Sequence, residues 1–410
     1  MSARPRMTDA GQDELAGLLA PLQVADFIAA TWGRAHAHVK GAPDRFARLL
    51  PWDQLNLILR QHRLDFPRLR LARDGKSLPA TSYLRHVRAG RRATTIPRLS
   101  AEALTKELRD GATLVLDAVD ELYEPLTELA ARLERFFRVR VQINAYAGWR
   151  TSRGFDLHWD DHDVFILQVA GRKDWRVYGE TRHAPLVSDV ASAPKPTGEP
   201  LWAATLTAGD LLYIPRGWWH VALPLDEPTL HLTVGIHNRT GLDLLRWLVD
   251  ETRACESVRR DLPRFADKTQ QAAHVARLRA ALVAACDDGL LARYFAAQDA
   301  AAEPRPQLAL PWSATRAAAP LAAATRVRLT APRPLDLQAE GGVVAFAANN
   351  KRWRFAEAAL AVLRPLADGR AHAVGALCAA AATLDARTVR ALLKELHAHG
   401  LLVIEPGADA

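Results

Sequence analysis

A histidine and an aspartate stand one residue apart in His158-Trp159-Asp160, inside the run Gly154-Phe155-Asp156-Leu157-His158-Trp159-Asp160-Asp161-His162-Asp163. Alternate residues of a β-strand share a face, so one imidazole and one carboxylate would reach the same cation. A second imidazole would complete a facial set of two histidines and one carboxylate, a set that suits iron(II) and leaves its other coordination positions open. His220 is the candidate, at the end of Gly209-Asp210-Leu211-Leu212-Tyr213-Ile214-Pro215-Arg216-Gly217-Trp218-Trp219-His220, where an apolar strand enters a turn and emerges with a histidine. Taken alone, His-x-Asp also fits a surface histidine beside a solvated acidic run. The second segment separates the two readings. His162 and Asp163 are read as bystanders, with His162 at the rim of any cavity.

Strands must hold these donors. Residues 139–146 alternate apolar and polar, and 164–169, 175–178, 211–214 and 230–236 read as further short strands between turn signals, the pattern of an antiparallel barrel-like sandwich. A Pro- and Gly-containing loop at 191–200 links its two halves. Asn144 and Tyr146 share one face of the first strand, and His231 and Thr233 share one face of the last. Before the strands, residues 13–32 are helical in pattern, 69–72 form a short strand, 101–110 are helical, 114–116 are a strand, and 123–137 carry an apolar stripe of Leu126, Leu129, Leu133 and Phe136. Residues 1–12 are polar and expected to be disordered.

The chain has 410 residues, enough for two or three domains, with 49% hydrophobic and 24% charged residues, as in ordinary globular proteins. It has no apolar run long enough for a membrane span, and residues 1–20 lack the apolar core of a signal peptide. Three scattered cysteines, Cys255, Cys286 and Cys378, give neither a disulfide framework nor a zinc spacing. A reducing cytoplasm is expected, which would also keep iron ferrous. The net charge of +8 is uneven: 11 Lys or Arg lie between Arg60 and Arg98 against Asp65 and Asp74. That stretch would steer an acidic partner or form a solvated basic face.

The segment His158-x-Asp160, the run Phe165-Ile166-Leu167-Gln168-Val169-Ala170-Gly171-Arg172-Lys173-Asp174-Trp175-Arg176-Val177-Tyr178, and Gly-Asp-Leu-Leu-Tyr-Ile-Pro-Arg-Gly-x-x-His together resemble the JmjC ribosomal oxygenases, which are iron(II)- and 2-oxoglutarate-dependent protein hydroxylases. The resemblance is strongest over residues 140–240. It implies an α+β chain with a double-stranded β-helix (cupin) core. N-terminal helices would precede the core, and a helical dimerisation module and a C-terminal winged-helix domain would follow it. The expected boundaries are 1–12 for the tail, 13–240 for the catalytic domain, 241–303 for the dimer module, 304–345 for a linker with short strands, and 346–410 for the winged helix. Helical patterns at 355–366, 374–381 and 385–399 and a strand at 401–404 suit the last, with Asp385 as N-cap and Gly400 as the glycine after the helix.

The same resemblance implies Fe(II), 2-oxoglutarate and O2 as metal and co-substrates, with His158, Asp160 and His220 as metal ligands. Lys173 would pair with the distal carboxylate of 2-oxoglutarate, while its neighbour Arg172 would be solvated. Asn144 and Tyr146 would line the co-substrate and substrate side. His231 and Thr233 are further candidates for contact with 2-oxoglutarate or with the groups around the metal. Arg150, Arg153 and Trp219 depart from the family pattern and are expected to shape the substrate pocket. A ribosomal protein is the leading substrate and a homodimer the expected assembly. A ribosomally made peptide encoded by a neighbouring gene is the alternative substrate. A different class, a nucleic-acid-binding regulator with a degenerate cupin, is disfavoured. All three ligands and Lys173 are present, and Arg387, Arg390 and Lys394 share their helix with Asp385 and Glu395 rather than forming a clean basic face.

Overall fold

The structure is a computed structural model that describes residues 9–89, 94–189, 194–308, 310, 314 and 321–405. The chain divides into two compact units, Thr8–Asn238 and Arg239–Ala410. It is an α+β protein in which helices flank antiparallel sheets.

The strands of the first unit are β1 (Ala37–Val39), β2 (Leu69–Arg73), β3 (Lys76–Ser77), β4 (Leu84–Ala89), β5 (Thr94–Leu99), β6 (Thr113–Leu116), β7 (Val141–Gly148), β8 (Asp163–Ala170), β9 (Lys173–Glu180), β10 (Trp202–Leu206), β11 (Leu211–Ile214), β12 (Trp218–Pro224) and β13 (Thr229–Ile236). Eight form one sheet in the order β1-β11-β8-β13-β7-β6-β2-β3, and three form a second in the order β10-β9-β12. Strand alternation decides which side chains meet. On β7, Val141, Ile143 and Ala145 are buried, while Gln142, Asn144 and Tyr146 occupy the other face. On β9, Lys173, Trp175 and Val177 point inward and Arg176 is exposed. Val164, Ile166, Leu212 and Ile214 of the large sheet pack with Trp175, Val177 and Leu206 of the small one. The opposite face of the large sheet is covered by aromatic packing. Trp32 stacks on Phe137 and Tyr213 at centroid distances of 4.7 and 5.4 Å, and Phe27 meets Tyr213 edge-on at 5.0 Å.

Several sequence expectations are corrected. The first helix starts at Ala10, so the polar tail expected at 1–12 is ordered from Asp9, whose carboxylate caps Gly11 N–H and pairs with Arg135 at 2.7 Å; residues 1–8 lie outside the described residues. The helical pattern at 13–32 is two pieces, because Pro21 removes a backbone donor and ends the first helix at Leu19. The C-terminal part of the basic stretch supplies the paired strands β4 and β5, which sequence periodicity did not mark. His158 and Asp160 do not lie on a regular strand. Residues 149–162 run as bends, held by one isolated bridge between His158 and His220. No single helix among the described residues is long and apolar enough to cross a membrane.

In the second unit, helices span Gly241–Glu251, Lys268–Ala285 and Leu290–Ala301. Thr240 and Asp243 close a capping box at the first. Asn350 N–H donates to the Ala300 carbonyl at 2.8 Å, tying the last of these helices to the strands that follow. Strands Arg326–Leu329, His372–Ala373 and Leu402–Ile404 form one small sheet, and Gln338–Glu340, Val343–Ala348 and Lys351–Ala356 another. Phe355, expected to open a helix, lies in the last of these strands, and the helix begins at Leu360. Phe355 stacks with Phe346 across the hairpin and with Trp353 of its own strand, which favours the strand. Helices Val374–Ala380 and Ala386–Ala398 follow, the latter capped by Asp385 accepting from Thr388 N–H. Within the expected linker at 304–345, positions 309, 311–313 (Trp312 among them) and 315–320 lie outside the described residues, as do positions 191–193 of the loop at 191–200.

The turn that delivers β9 has a strict steric requirement. Gly171 sits at φ +67°, and a Cβ there would lie 2.1 Å from the Pro228 carbonyl oxygen. Gly171→Ala should cost about 2 kcal/mol or more and lower Tm measurably by calorimetry. Gly17→Ala, on a helix with open space around its Cα, should leave Tm unchanged or raise it slightly.

Candidate metal centre

The ligand atoms of His158, Asp160 and His220 lie within 4.8 Å of one another. Two reciprocal backbone hydrogen bonds create this meeting: His220 N–H to the His158 carbonyl at 2.7 Å, and His158 N–H to the His220 carbonyl at 3.2 Å. Gly217 N–H donates to the Asp160 carbonyl at 2.9 Å and fixes the carboxylate's end of the loop. The pairing of β12 with β9 shifts register here: Trp219 lies opposite Gly179 and His220 opposite Val177, so Tyr178 of β9 is the extra residue.

Each imidazole is held in a defined tautomer. His158 Nδ1 lies 2.8 Å from the Asp156 carbonyl, and His220 Nδ1 lies 2.9 Å from the Trp218 carbonyl. A carbonyl only accepts, so Nδ1 carries the proton and Nε2 presents its lone pair. Burial, reinforced by His158, pushes His220 down to about 4, so it is a neutral ligand at physiological pH. For Asp160, burial is the largest influence and opposes ionisation, but His220 and His158 together hold its carboxyl below the usual range. Two neutral nitrogen donors and a carboxylate on one side of a cavity fit a divalent first-row metal and leave a free face.

The cavity measures about 280 Å³, and its lining includes His158, Asp160, His220, Asn144, Tyr146, Lys173, His231 and Thr233. All the expected ligands and all five expected cofactor contacts therefore border one space. Lys173 is 5% exposed, and no hydrogen bond or ion pair engages its ammonium among the described residues. Burial pushes it down to about 8. Tyr146 stacks on His231 at 4.9 Å and 3°. Burial first, then Lys173, pushes His231 well below its ordinary value, and no described residue pairs with its Nδ1. Trp175 Nε1 and Thr113 Oγ1 also border the cavity without a partner among the described residues. Asn144 has a framework duty, since its carbonyl oxygen accepts from Ala118 N–H at 2.9 Å and Gln142 Nε2 at 3.0 Å.

The three expected substrate residues are not on this lining. Arg150 is turned to Asp226 and the Arg109 carbonyl. Arg153 pairs with Asp156 at 2.9 Å. Trp219 is buried and donates Nε1–H to Thr181 Oγ1 at 2.8 Å. Sequence reasoning missed Arg70, Thr113, Phe155 and Trp175. Arg70 lies on β2, is clamped by Asp117 at 2.6 and 2.9 Å, and sits 5.9 Å over the Phe155 ring. Only its place in a strand distinguished it within the basic stretch. Arg172 behaves as expected, exposed and paired with Glu227.

Residues 120–244 match the JmjC domain model. The chain is 33% identical over 270 residues to the bifunctional lysine-specific demethylase and histidyl-hydroxylase NO66 of Dictyostelium discoideum, covering 62% of this chain and 50% of that relative. It is 29% identical over 235 residues to the protein of the same name from Drosophila persimilis, covering 56% of this chain and 32% of the other. The chain thus spans half or less of the length of these relatives. Among solved structures it is similar in fold to the Escherichia coli ribosomal oxygenase YcfD, with a TM-score of 0.56 at 19% identity over 94% of this chain and 98% of the other. A structure of YcfD in complex with cobalt and 2-oxoglutarate matches with a TM-score of 0.57 at 20% identity, covering 94% of this chain and 99% of that one. Residues 120–244 thus match a JmjC domain, and over the stretches covered the chain is similar to these proteins.

Lys173 yields a stability test. Its folded value of about 8 is below the ordinary lysine range, so below pH 8 the fold bears the full cost of a buried ammonium. That cost disappears as pH rises from 8 towards 10.5. Lys173→Met should therefore stabilise the ligand-free protein at pH 7, by up to about 3 kcal/mol from the size of the shift. Denaturant melts should show the gain shrinking towards zero near pH 10.

Proposed function

We propose that this protein is an iron(II)- and 2-oxoglutarate-dependent oxygenase that hydroxylates a side chain of a protein substrate. One observation carries the reading: three metal-type ligand atoms within 4.8 Å and a buried, unpaired ammonium, Lys173, border the same cavity. A dicarboxylate that chelates the metal through one end has a second anion to bury. An uncompensated buried charge costs several kcal/mol, so anion and ammonium relieve each other. His158, Asp160 and His220 would hold the metal, which with 2-oxoglutarate and O2 supplies the oxidising chemistry that places an oxygen atom on a C–H bond. Lys173 binds and orients the co-substrate's distal carboxylate. His231 and Thr233 face that region, and Tyr146 stacks on His231 and fixes its plane. Asn144 and Tyr146 border the side from which substrate approaches. Trp175 and Ile166 form apolar wall that excludes water.

The substrate favoured is a ribosomal protein, because the fold resembles a ribosomal oxygenase and a relative's name includes histidyl-hydroxylase. A ribosomally made peptide is the alternative. That name also includes lysine demethylase, and intact mass of candidate substrates after turnover separates the outcomes: a gain of one oxygen or the loss of a methyl group. The two sheets suit a double-stranded β-helix core, and the three helices from Leu360 onward, with the small sheet that pairs His372–Ala373 and Leu402–Ile404 with Arg326–Leu329, suit a winged-helix domain. Exposed apolar residues on the helices over 241–301, among them Leu245, Val249, Val283 and Phe295, suit a homodimer interface, and a concentration-independent monomer on sedimentation would count against it. A cytoplasmic location agrees with three free cysteines.

Lys173→Ala should raise the KM for 2-oxoglutarate on the order of 100-fold, the loss of about 3 kcal/mol from a buried pair, with iron affinity little changed. Arg172→Ala, on the solvated side, should leave that KM within about twofold. The opposite order would contradict the co-substrate assignment. Asp160→Ala should abolish 2-oxoglutarate turnover while retaining the fold.

A further inference from the structure

A second set of metal-type ligands lies outside the cavity. Asp161, His162 and His237 bring one ligand atom each to within 4.8 Å of one another. The sheet register dictates this meeting. On the antiparallel pair β13–β8, Ile236 lies opposite Asp163 and Gly235 opposite Val164. One further step along the same register sets His237 opposite His162, just beyond the ladder's end. His237 N–H donates to the Arg140 carbonyl at 3.2 Å, which extends the strand's path at that point. The two rings are 4.4 Å apart, the separation that His158 and His220 show at 4.5 Å. Asp161 Oδ1 is 2.8 Å from His162 Nδ1.

The surroundings are shaped to this arrangement. A Cβ on Gly235 would lie 2.7 Å from His162 Cδ2 and 2.8 Å from its Nε2, so the ring occupies space that any other residue at 235 would take. Nδ1 is the ring nitrogen left facing Asp161. Two adjacent imidazoles repel when both are protonated, whereas a cation shared with a carboxylate turns the cluster into an attractive one. The side chains of His162 and Asp161 are 20% and 37% exposed, so an ion can enter and water can complete its coordination.

We propose that Asp161, His162 and His237 form a second site for a divalent transition-metal ion of borderline softness, such as zinc(II), nickel(II) or cobalt(II). Nitrogen donors favour these ions over magnesium or calcium. The site is half open and has three protein donors, so it should bind more weakly than the cavity site, whose donors are more buried. Its Asp161 is the chain neighbour of Asp160, so the two ions would be held by consecutive carboxylates of one loop. The inference does not depend on the oxygenase reading, because it concerns a different set of side chains.

The test is equilibrium dialysis of the metal-stripped full chain against zinc(II), with bound zinc counted by atomic emission. Wild type should bind one ion more than His237→Ala, and Asp160→Ala should retain the ion that His237→Ala loses. The double variant should lose both. Asp161→Asn preserves side-chain shape and should weaken the second binding step at least tenfold, which keeps the test valid if His237→Ala fails to fold. Equal stoichiometry in wild type and His237→Ala, or an unchanged second step in Asp161→Asn, would overturn the proposal.

Discussion

The candidate centre depends on a single backbone bridge. His158 sits in a loop of bends, and His220 sits on a strand of the smaller sheet. The reciprocal hydrogen bonds between them, at 2.7 and 3.2 Å, splice that loop onto the strand as if it were a neighbour in the sheet. Everything that follows at the site needs this splice. It brings the two imidazoles together, places Asp160 beside His220 at 3.6 Å, and leaves each Nδ1 opposite a carbonyl of its own segment. Metal sites whose ligands are oriented in this way lose little on binding, because tautomer and ring plane are already chosen.

The cavity is also electrostatically unfinished in an informative way. It contains an ionised carboxylate, imidazoles and an ammonium with no counter-charge in reach among the described residues. Burial penalises each charge, and a fold evolved only for stability would replace Lys173 with an apolar residue. An ammonium kept there at such a cost is explained by an anion that arrives with function. Arg70 differs, since Asp117 already satisfies its guanidinium in a bidentate clamp. One cation is therefore free to bind and the other is committed to framework.

Much of the layout was legible in sequence. The two metal-ligand segments and the shared faces of β7 and β13 carrying Asn144, Tyr146, His231 and Thr233 follow from residue type and strand alternation, whereas Lys173 was expected from the resemblance to the JmjC oxygenases. The strand geometry invoked for His158 and Asp160 does not hold, although the side chains converge. Convergence comes from the bridge to His220, a pairing between residues 62 apart in sequence, which local periodicity cannot reveal. Trp219, next to His220 in the chain, is instead engaged with Thr181, a contact that local sequence does not show. Arg70 and Thr113 reach the lining through sheet order, because β6 and β2 extend the large sheet beyond β7. The pairing of His162 with His237 is another product of register.

The central claim is that one cavity holds a metal and a chelating dicarboxylate together. Its most direct measurement is an anaerobic titration of the metal-stripped protein with iron(II), with and without 2-oxoglutarate, followed by visible absorption. The account predicts a charge-transfer band that appears only when both are present, saturates at one iron per chain, and is lost in His220→Ala. No band in wild type, or an undiminished band in His220→Ala, would contradict it.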